Sequence, residues 1–267
     1  MRLEYGFATG HKAYAGSVVD PNPLDITNIS WTRHDLTLSF EHAFGDHVRL
    51  GGTLPFSMIR VHNNAWMSDV KTNGFQLGDI GAYAVFQPWE STDPLGHHFF
   101  DPHNLQLLFG MTFPTGDERA GSLPGLHFLQ LGSGSIDPRF GVGYSGRLGR
   151  FFGLYGDVGL RLDGGADSSG YRSGNIYTAR VGAMFTPIKY VSIAVSNELV
   201  VRNINYQSGG VAAESGGVWD FFVPRVLIAP FGGFFIDASA GIPVWRHVFL
   251  QQPVAAFNAS VAVGYYF

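Results

Sequence analysis

Arginine and carboxylate side chains recur at every second position in several segments of this chain. In residues 154–163, Asp157, Arg161 and Asp163 share one register, and the other register is mostly aliphatic. Successive side chains of an extended strand point to opposite faces, so this spacing places the charges on one face. Confined guanidinium and carboxylate groups can pair with each other or bind a polar solute. The charged candidates for such a face, which we predict to line an interior lumen, are Glu41, Arg49, Arg139, Asp157, Arg161, Asp163, Arg180, Glu198, Arg202 and Asp237.

These candidates comprise five arginines and five carboxylates, so the face that they form is close to electrically neutral. A neutral face argues against the strong ion selectivity that a row of charges of one sign produces. Two interpretations stay open. Ion pairs between neighbouring strands could simply fill and stiffen a narrow interior, or the charges could line the path of a solute.

Histidine raises the question of catalysis, because the chain contains ten of these residues. A hydrolase needs a serine and a histidine close together, with a third group that orients the imidazole. His34 with Asp35, and His42 with Glu41, are neighbours in the sequence, so the members of each pair point to opposite faces of a strand. The sequence therefore predicts no catalytic residues and a protein that is not an enzyme.

A second group of histidines raises the question of metal binding. His97, His98 and His103 lie close to Asp101 in the sequence, and these side chains are common zinc ligands. They fall in an irregular polar segment, in which solvated histidines are the simpler interpretation. We predict no metal site and no cofactor.

Composition narrows the class of protein. Charged residues make up 14% of the chain, against about 25% in a typical soluble domain, and no apolar run reaches the roughly 20 residues of a membrane-spanning helix. The mean hydropathy is +0.07, which suits a sheet whose strands alternate between lipid and a polar interior. We therefore predict a closed antiparallel transmembrane β-barrel; a soluble β-sandwich or small soluble barrel should have a more highly charged exterior.

Alternating hydrophobicity divides the chain into strands of a single barrel domain over residues 1–267. The number of strands is twelve, or ten if the first or the fourth is wrongly assigned. Most are ten to fourteen residues long, close to the length of a tilted spanning strand. The predicted strands are 2–8, 31–44, 47–60, 76–88, 104–114, 136–147, 150–163, 174–186, 190–202, 218–229, 234–245 and 255–267.

The connections between these strands alternate in length. Tight turns with Gly, Asp or Pro, such as Gly45-Asp46, alternate with longer polar loops. Short turns on the periplasmic side and long loops outside are typical of outer-membrane barrels, so we predict that both termini are periplasmic. The connection at 89–103 is long for a periplasmic turn. A short loop is expected at 246–254.

The end of the chain carries a further signal. From Phe257 to Phe267, apolar or aromatic side chains occupy every second position up to a terminal phenylalanine. This segment resembles the C-terminal β-signal of Gram-negative outer-membrane barrels. It predicts location in the bacterial outer membrane, with outer-membrane lipid and lipopolysaccharide as partners. No signal peptide is visible after Met1, and we expect that one was removed.

The loop at 115–135 is unusual because it mixes glycine with large apolar residues. An exposed apolar cluster of this kind is costly in water, so we expect the loop to fold over or into the barrel mouth. Packing against other loops or against lipopolysaccharide is the alternative. The apolar residues of this predicted mouth loop are Leu123, Leu126, Phe128 and Leu129.

Four short motifs resemble the family of transporters associated with the phenol meta-cleavage pathway. They are Leu77-Gly78-Asp79-Ile80-Gly81, residues 113–117 (Phe-Pro-Thr-Gly-Asp), residues 131–137 (Leu-Gly-Ser-Gly-Ser-Ile-Asp) and residues 154–159 (Leu-Tyr-Gly-Asp-Val-Gly). The resemblance implies an outer-membrane barrel associated with uptake of small hydrophobic or aromatic compounds. It implies no particular binding residues.

Taken together, these features predict a porin-like channel for passive passage of a small-molecule solute. The alternative is a structural barrel that serves as the outer-membrane component of a larger envelope complex with a protein partner. A net charge of −4 and a pI near 6.2 give no basic patch, so nucleic acid is not an expected partner.

Overall fold

Twelve long strands dominate the computed structural model of the chain, which describes residues 1–10, 12–19, 29–63, 68–72, 74–88, 103–117, 130–212 and 216–266. Each of these strands carries the two-residue alternation that the sequence shows. We number them in chain order: β1 (Arg2–Gly10), β2 (Ile29–Phe44), β3 (Val48–Asn63), β4 (Ile80–Phe86), β5 (His103–Phe113), β6 (Asp137–Leu148), β7 (Phe152–Arg161), β8 (Ile176–Ile188), β9 (Val191–Arg202), β10 (Gly217–Phe231), β11 (Phe234–Val254) and β12 (Phe257–Tyr265).

The sheet closes on itself. Each strand pairs antiparallel with the next, and β12 also pairs with β1, from Arg2 opposite Gly264 to Thr9 opposite Phe257. Closure leaves no free edge between the first and the last strand, so every spanning strand finds backbone partners on both sides. The prediction of a closed twelve-stranded antiparallel barrel is confirmed, and the ten-stranded alternative is wrong.

The two ends of the barrel differ. At the turn end, residues 45–47, 149–151, 189–190 and 232–233 form tight connections, and Gly45 and Gly149 adopt φ values of 68° and 80° that favour glycine. The amino group of Met1 donates to the carbonyl of Tyr265 at this end, over 2.8 Å. The loop end carries the longer connections, which include 162–175 and 203–216.

The barrel exposes apolar side chains and buries polar ones, which is the reverse of the arrangement in a soluble protein. On β9 the apolar side chains of Ile193 and Val195 are 47% and 44% exposed on the outside, whereas Ser192 and Ser196 are buried on the inside. The same inversion places Val158 and Val181 among the most exposed side chains of the barrel. An apolar exterior around a polar interior is the arrangement expected of a barrel surrounded by lipid.

Most predicted strand boundaries differ from the observed ones by one to three residues, and two segments differ more. Residues 246–254, predicted as a loop, continue β11, because the segment Lys12–Gly16 pairs with this part of the strand beyond the barrel wall. The fourth strand is shorter than predicted. Before it, Gln76–Leu77 pairs with β3, and the N–H of Gly78 bonds to the carbonyl of Pro55.

Shorter strands extend the loop end. Ser68–Lys71 pairs with β3, Val18–Val19 pairs with Lys12–Gly16, and a separate small sheet contains Tyr171–Arg172, Tyr206–Gln207 and Gly210–Val211. Over the part of the chain that the structure describes, no helix is long and apolar enough to cross a membrane.

Candidate functional site: the barrel interior

One side of the interior is built from arginines that are paired with carboxylates. Arg225 on β10 contacts both oxygens of Asp237 on β11, with its Nε at 2.7 Å from Oδ1. Arg2 on β1 approaches the same carboxylate, at 3.4 Å, and also bonds to Glu4 at 2.8 Å. The side chain of Asp237 is only 5% exposed. A nearly buried carboxylate is held in place by such charge-assisted hydrogen bonds.

Arg180 on β8 continues this arrangement. Its guanidinium lies 3.1 Å from Glu198 on β9 and 3.9 Å from Asp157 on β7. Asp157 lines a different cavity, whereas Arg180 and Glu198 line one of about 430 Å³. We call this region the paired wall, and define it by Arg2, Glu4, Arg180, Glu198, Arg225 and Asp237, all of which line that cavity.

A second cavity, of about 520 Å³, has a different lining. Here Arg139 on β6 and Arg161 on β7 are directly opposite each other in the strand register. Three glycines on the same face, Gly141, Gly143 and Gly159, leave the wall beside the two arginines without side chains. We call this region the glycine recess, and define it by Arg139, Gly141, Gly143, Gly159 and Arg161. The apolar side chains of Val85, Leu108 and Ile176 also line it.

The carboxylate nearest to these two arginines, that of Asp137, already accepts hydrogen bonds from other groups. Asp137 is 1% exposed and accepts hydrogen bonds from the hydroxyl of Ser135 at 2.6 Å and from the N–H of Gly164 at 3.1 Å. Its contact with Arg161 is long, at 3.9 Å. Asp137 therefore neutralises part of the local charge without forming a close ion pair with either arginine.

The remaining predicted lumen residues occupy three separate places. Arg49 on β3 bonds to Glu41 on β2 at 2.9 Å, next to the hydroxyl of Tyr83. Asp163 lies just beyond β7 and pairs with Arg172 of the loop that follows. Arg202 ends β9, where it is opposite Ile176, the residue that is also opposite Arg161. Whether any of these side chains contacts a passing solute stays a prediction.

Sequence reasoning missed three members of the paired wall, namely Arg2, Glu4 and Arg225. The signal was present for the first two, because residues 2, 4 and 6 of the first strand alternate with apolar positions. Pro224 next to Arg225 obscures the register of the tenth strand, since proline is uncommon within sheets.

Three of the family-like motifs meet at one carboxylate. One oxygen of Asp79 accepts the N–H of Gly116 at 3.0 Å, and the other accepts the N–H and the hydroxyl of Ser133 at 2.6 and 2.8 Å. The hydroxyl of Thr115 adds a bond to the carbonyl of Gly78 at 2.9 Å. Asp79 therefore fixes the two ends of the 115–135 loop against the start of β4. The sequence alone did not predict that these motifs converge.

A second carboxylate organises the loop end. Asp167 accepts hydrogen bonds from the hydroxyl and N–H of Ser169 and from the N–H of Tyr171, at 2.7 to 2.9 Å. Gln130 donates to its other oxygen at 3.3 Å. Burial by itself raises the pKa of the Asp167 carboxyl, but these hydrogen bonds outweigh it, so the pKa lies below its usual range.

Leu123, Leu126, Phe128 and Leu129 of the predicted mouth loop lie outside the described residues, as do His97, His98 and Asp101. Within the described ranges, no group of histidine, aspartate and glutamate side chains is arranged to hold a metal ion.

Several solved structures share this architecture. An outer-membrane channel from Pseudomonas putida F1 is similar with a TM-score of 0.71 and 16% identity, over 100% of this chain and 94% of the other. The transport unit of the autotransporter AIDA-I from Escherichia coli has a TM-score of 0.53 and 9% identity, over 100% and 89%. A FadL homologue from Pseudomonas aeruginosa has a TM-score of 0.50 and 10% identity, over 100% and 90%. At these identities the likeness concerns the fold.

The chain is thus a closed β-barrel of the kind found in the outer membrane of Gram-negative bacteria, as its sequence predicts. No curated protein sequence matches it. A family model does match, over residues 17–245, and it includes all four motifs and most of the barrel. On this match the chain belongs to the family described as "Putative MetA-pathway of phenol degradation".

Proposed function

We propose that the protein is a channel for passive passage of small solutes across the outer membrane, and not an enzyme. The observation that carries this proposal is the polar, charged interior of a closed barrel, which contains cavities of about 430 and 520 Å³. A barrel of twelve strands is wider than the eight-stranded barrels whose interior is filled by side chains. The similar channel from Pseudomonas putida F1 supports the same assignment.

The orientation and the path of the solute belong to this proposal. The loop end faces the outside and the turn end, with both termini, faces the periplasm, because short turns are typical of the periplasmic side. The solute enters at the loop end, past residues 162–175, and passes along the paired wall and the glycine recess.

The family description suggests the class of solute. It refers to phenol degradation, so small aromatic compounds are the first candidates. The apolar side chains of Leu108 and Ile176 beside the charged groups of the interior suit a molecule with both an apolar body and a polar group.

Conductance in planar lipid bilayers tests the proposal. The refolded full chain should give discrete conductance steps in KCl, and a liposome-swelling assay with small sugars should show solute entry. A protein that is folded by heat-modifiable mobility on SDS–PAGE, yet silent in both assays, would refute the channel.

A structural barrel within an envelope complex is the second candidate. One observation favours it: Asn197 on β9 donates to Asp220 on β10 at 2.6 Å on the exposed outer face. A carboxylate on a lipid-facing surface is unfavourable, and contact with a protein partner would shield it. Under this alternative, Asp220→Leu should leave the folded barrel intact and abolish co-purification of a partner, with no conductance in either form.

A further inference from the structure

We infer that the glycine recess binds the carboxylate of a small organic acid, with Arg139 and Arg161 as the anion-binding pair. This inference names a class of solute, so it rests on the proposed channel function.

The first step of the argument is the position of the two charges. Arg139 and Arg161 are directly opposite on neighbouring strands and face the same cavity. Like charges in directly opposed cross-strand positions destabilise a sheet. The two guanidinium groups therefore repel each other, and an anion bound between them would remove this repulsion.

The second step is the supply of free donors. Arg139 is an exposed residue of the interior wall, and it has no hydrogen bond or ion pair with any residue in the described ranges. Arg202, a half-buried residue at the same end of the interior, likewise has no hydrogen bond or ion pair within those ranges. A guanidinium has five N–H donors in a planar fork that matches a carboxylate. The donors of Arg139 are therefore available to a ligand.

The third step is the space beside the charges. A Cβ atom added at Gly143 would meet its nearest neighbour, the Cβ of Asp157, at an ordinary 3.8 Å, and one at Gly141 would meet Leu108 at 3.4 Å. Neither glycine is demanded by a close backbone approach. Their effect is to leave open a cavity of about 520 Å³, within the usual range for small-molecule sites.

The fourth step is the chemistry of the lining. Val85, Leu108 and Ile176 line the same cavity as the two guanidinium groups, and so does one carboxylate, that of Asp157. A ligand that binds both the arginines and the apolar side chains has an anionic group and a hydrocarbon body. Simple inorganic anions lack the hydrocarbon body, and neutral aromatic compounds lack the anionic group.

Block of the channel by sodium benzoate, with benzyl alcohol as the neutral analogue, tests this inference on the full-length protein in planar bilayers. Benzoate should reduce the KCl conductance at concentrations at which benzyl alcohol has no effect. The double variant R139Q/R161Q should raise the half-blocking concentration of benzoate by at least about tenfold, because charge-assisted hydrogen bonds are lost. Arg147→Gln is the matched control, since Arg147 lies on the same strand but at the turn end, where it bonds to the carbonyls of Gly149 and Arg150.

A second variant guards against a general effect on folding. Gly143→Leu fills the recess and retains both arginines, and it should weaken benzoate block to a similar degree. Binding of benzoate to the detergent-solubilised protein, measured by isothermal titration calorimetry, provides a readout that does not need conduction.

The outcomes separate this inference from the proposed function. A barrel that conducts but responds equally to benzoate and benzyl alcohol, or in which R139Q/R161Q behaves like wild type, would overturn the anion site and leave the channel. A silent barrel that still binds benzoate through Arg139 and Arg161 would overturn the channel and leave the site.

Discussion

The paired wall and the glycine recess lie in the same barrel and both contain arginines, but only in the paired wall do these arginines form close ion pairs with the carboxylates that the structure describes. In the paired wall, Arg225 contacts both oxygens of Asp237. In the glycine recess, Arg139 faces Arg161, and the nearest carboxylate, that of Asp137, is held by Ser135 and Gly164. The comparison shows that net charge alone does not describe the interior. Pairing decides whether a charged side chain stabilises the wall or is available to a ligand.

Removal of a carboxylate from the paired wall should have the largest effect on stability. Asp237→Asn leaves the Arg225 guanidinium partly buried without its partner, which costs about 3 kcal/mol for a buried pair. Urea unfolding in lipid vesicles, followed by tryptophan fluorescence, measures the loss. Asp157→Asn is the matched control, because its side chain is 41% exposed and its contact with Arg180 is long, at 3.9 Å. Equal losses in the two variants would show that the close, nearly buried ion pair of Asp237 stabilises the barrel no more than the long, exposed contact of Asp157.

Loss of the Asp79 hydrogen bonds that hold the ends of the 115–135 loop should have the next largest effect. Asp79→Asn removes an acceptor for the N–H groups of Gly116 and Ser133, at a local cost of about 1–3 kcal/mol. Trypsin should therefore cleave after Arg119 about tenfold faster or more. The same substitution at Asp46, in a tight turn at the other end of the barrel, should leave this rate unchanged. An unchanged rate in Asp79→Asn would show that the loop ends are fixed by other contacts.

Conversion of the glycine recess into a second paired wall tests the comparison directly. Arg139→Glu places a carboxylate opposite Arg161, and opposite charges in such cross-strand positions stabilise by about 0.2–1 kcal/mol. The urea midpoint should rise slightly while benzoate block disappears. A variant that is less stable than wild type would show that Arg139 already has a stabilising role.

The smallest expected effect is a pH dependence of the loop that contains Asp167, which lies outside both regions. The pKa of Asp167 is lowered in the folded protein, so its stabilising contribution is present above the unfolded value of about 4 and is lost as the pH falls through the lower folded value. Hydrogen exchange of residues 165–172, corrected for the intrinsic rate, should speed up a few-fold between pH 6 and pH 3. Asp167→Asn should exchange at the faster rate at both pH values.

Much of the fold could be predicted from the sequence, because membrane residence imposes a strict two-residue pattern. The strand register of Asp157, Arg161 and Val158 was readable without coordinates, and so was the alternation of short turns and long loops. The extension of β11 through residues 246–254 was not readable, because a loop segment, Lys12–Gly16, supplies the partner strand. The family resemblance, stated from four motifs, is confirmed by the match over residues 17–245.

The sequence by itself determined that this chain is a barrel with lipid outside and charge inside, since alternation along a strand is a local property that each segment shows on its own. Only the tertiary structure decided which charges meet. Arg225 pairs with Asp237, and Arg139 faces Arg161, because closure and stagger of the sheet set which residues of neighbouring strands are opposite. A shift of one strand by two residues would keep every inward-facing side chain inward and change its partner.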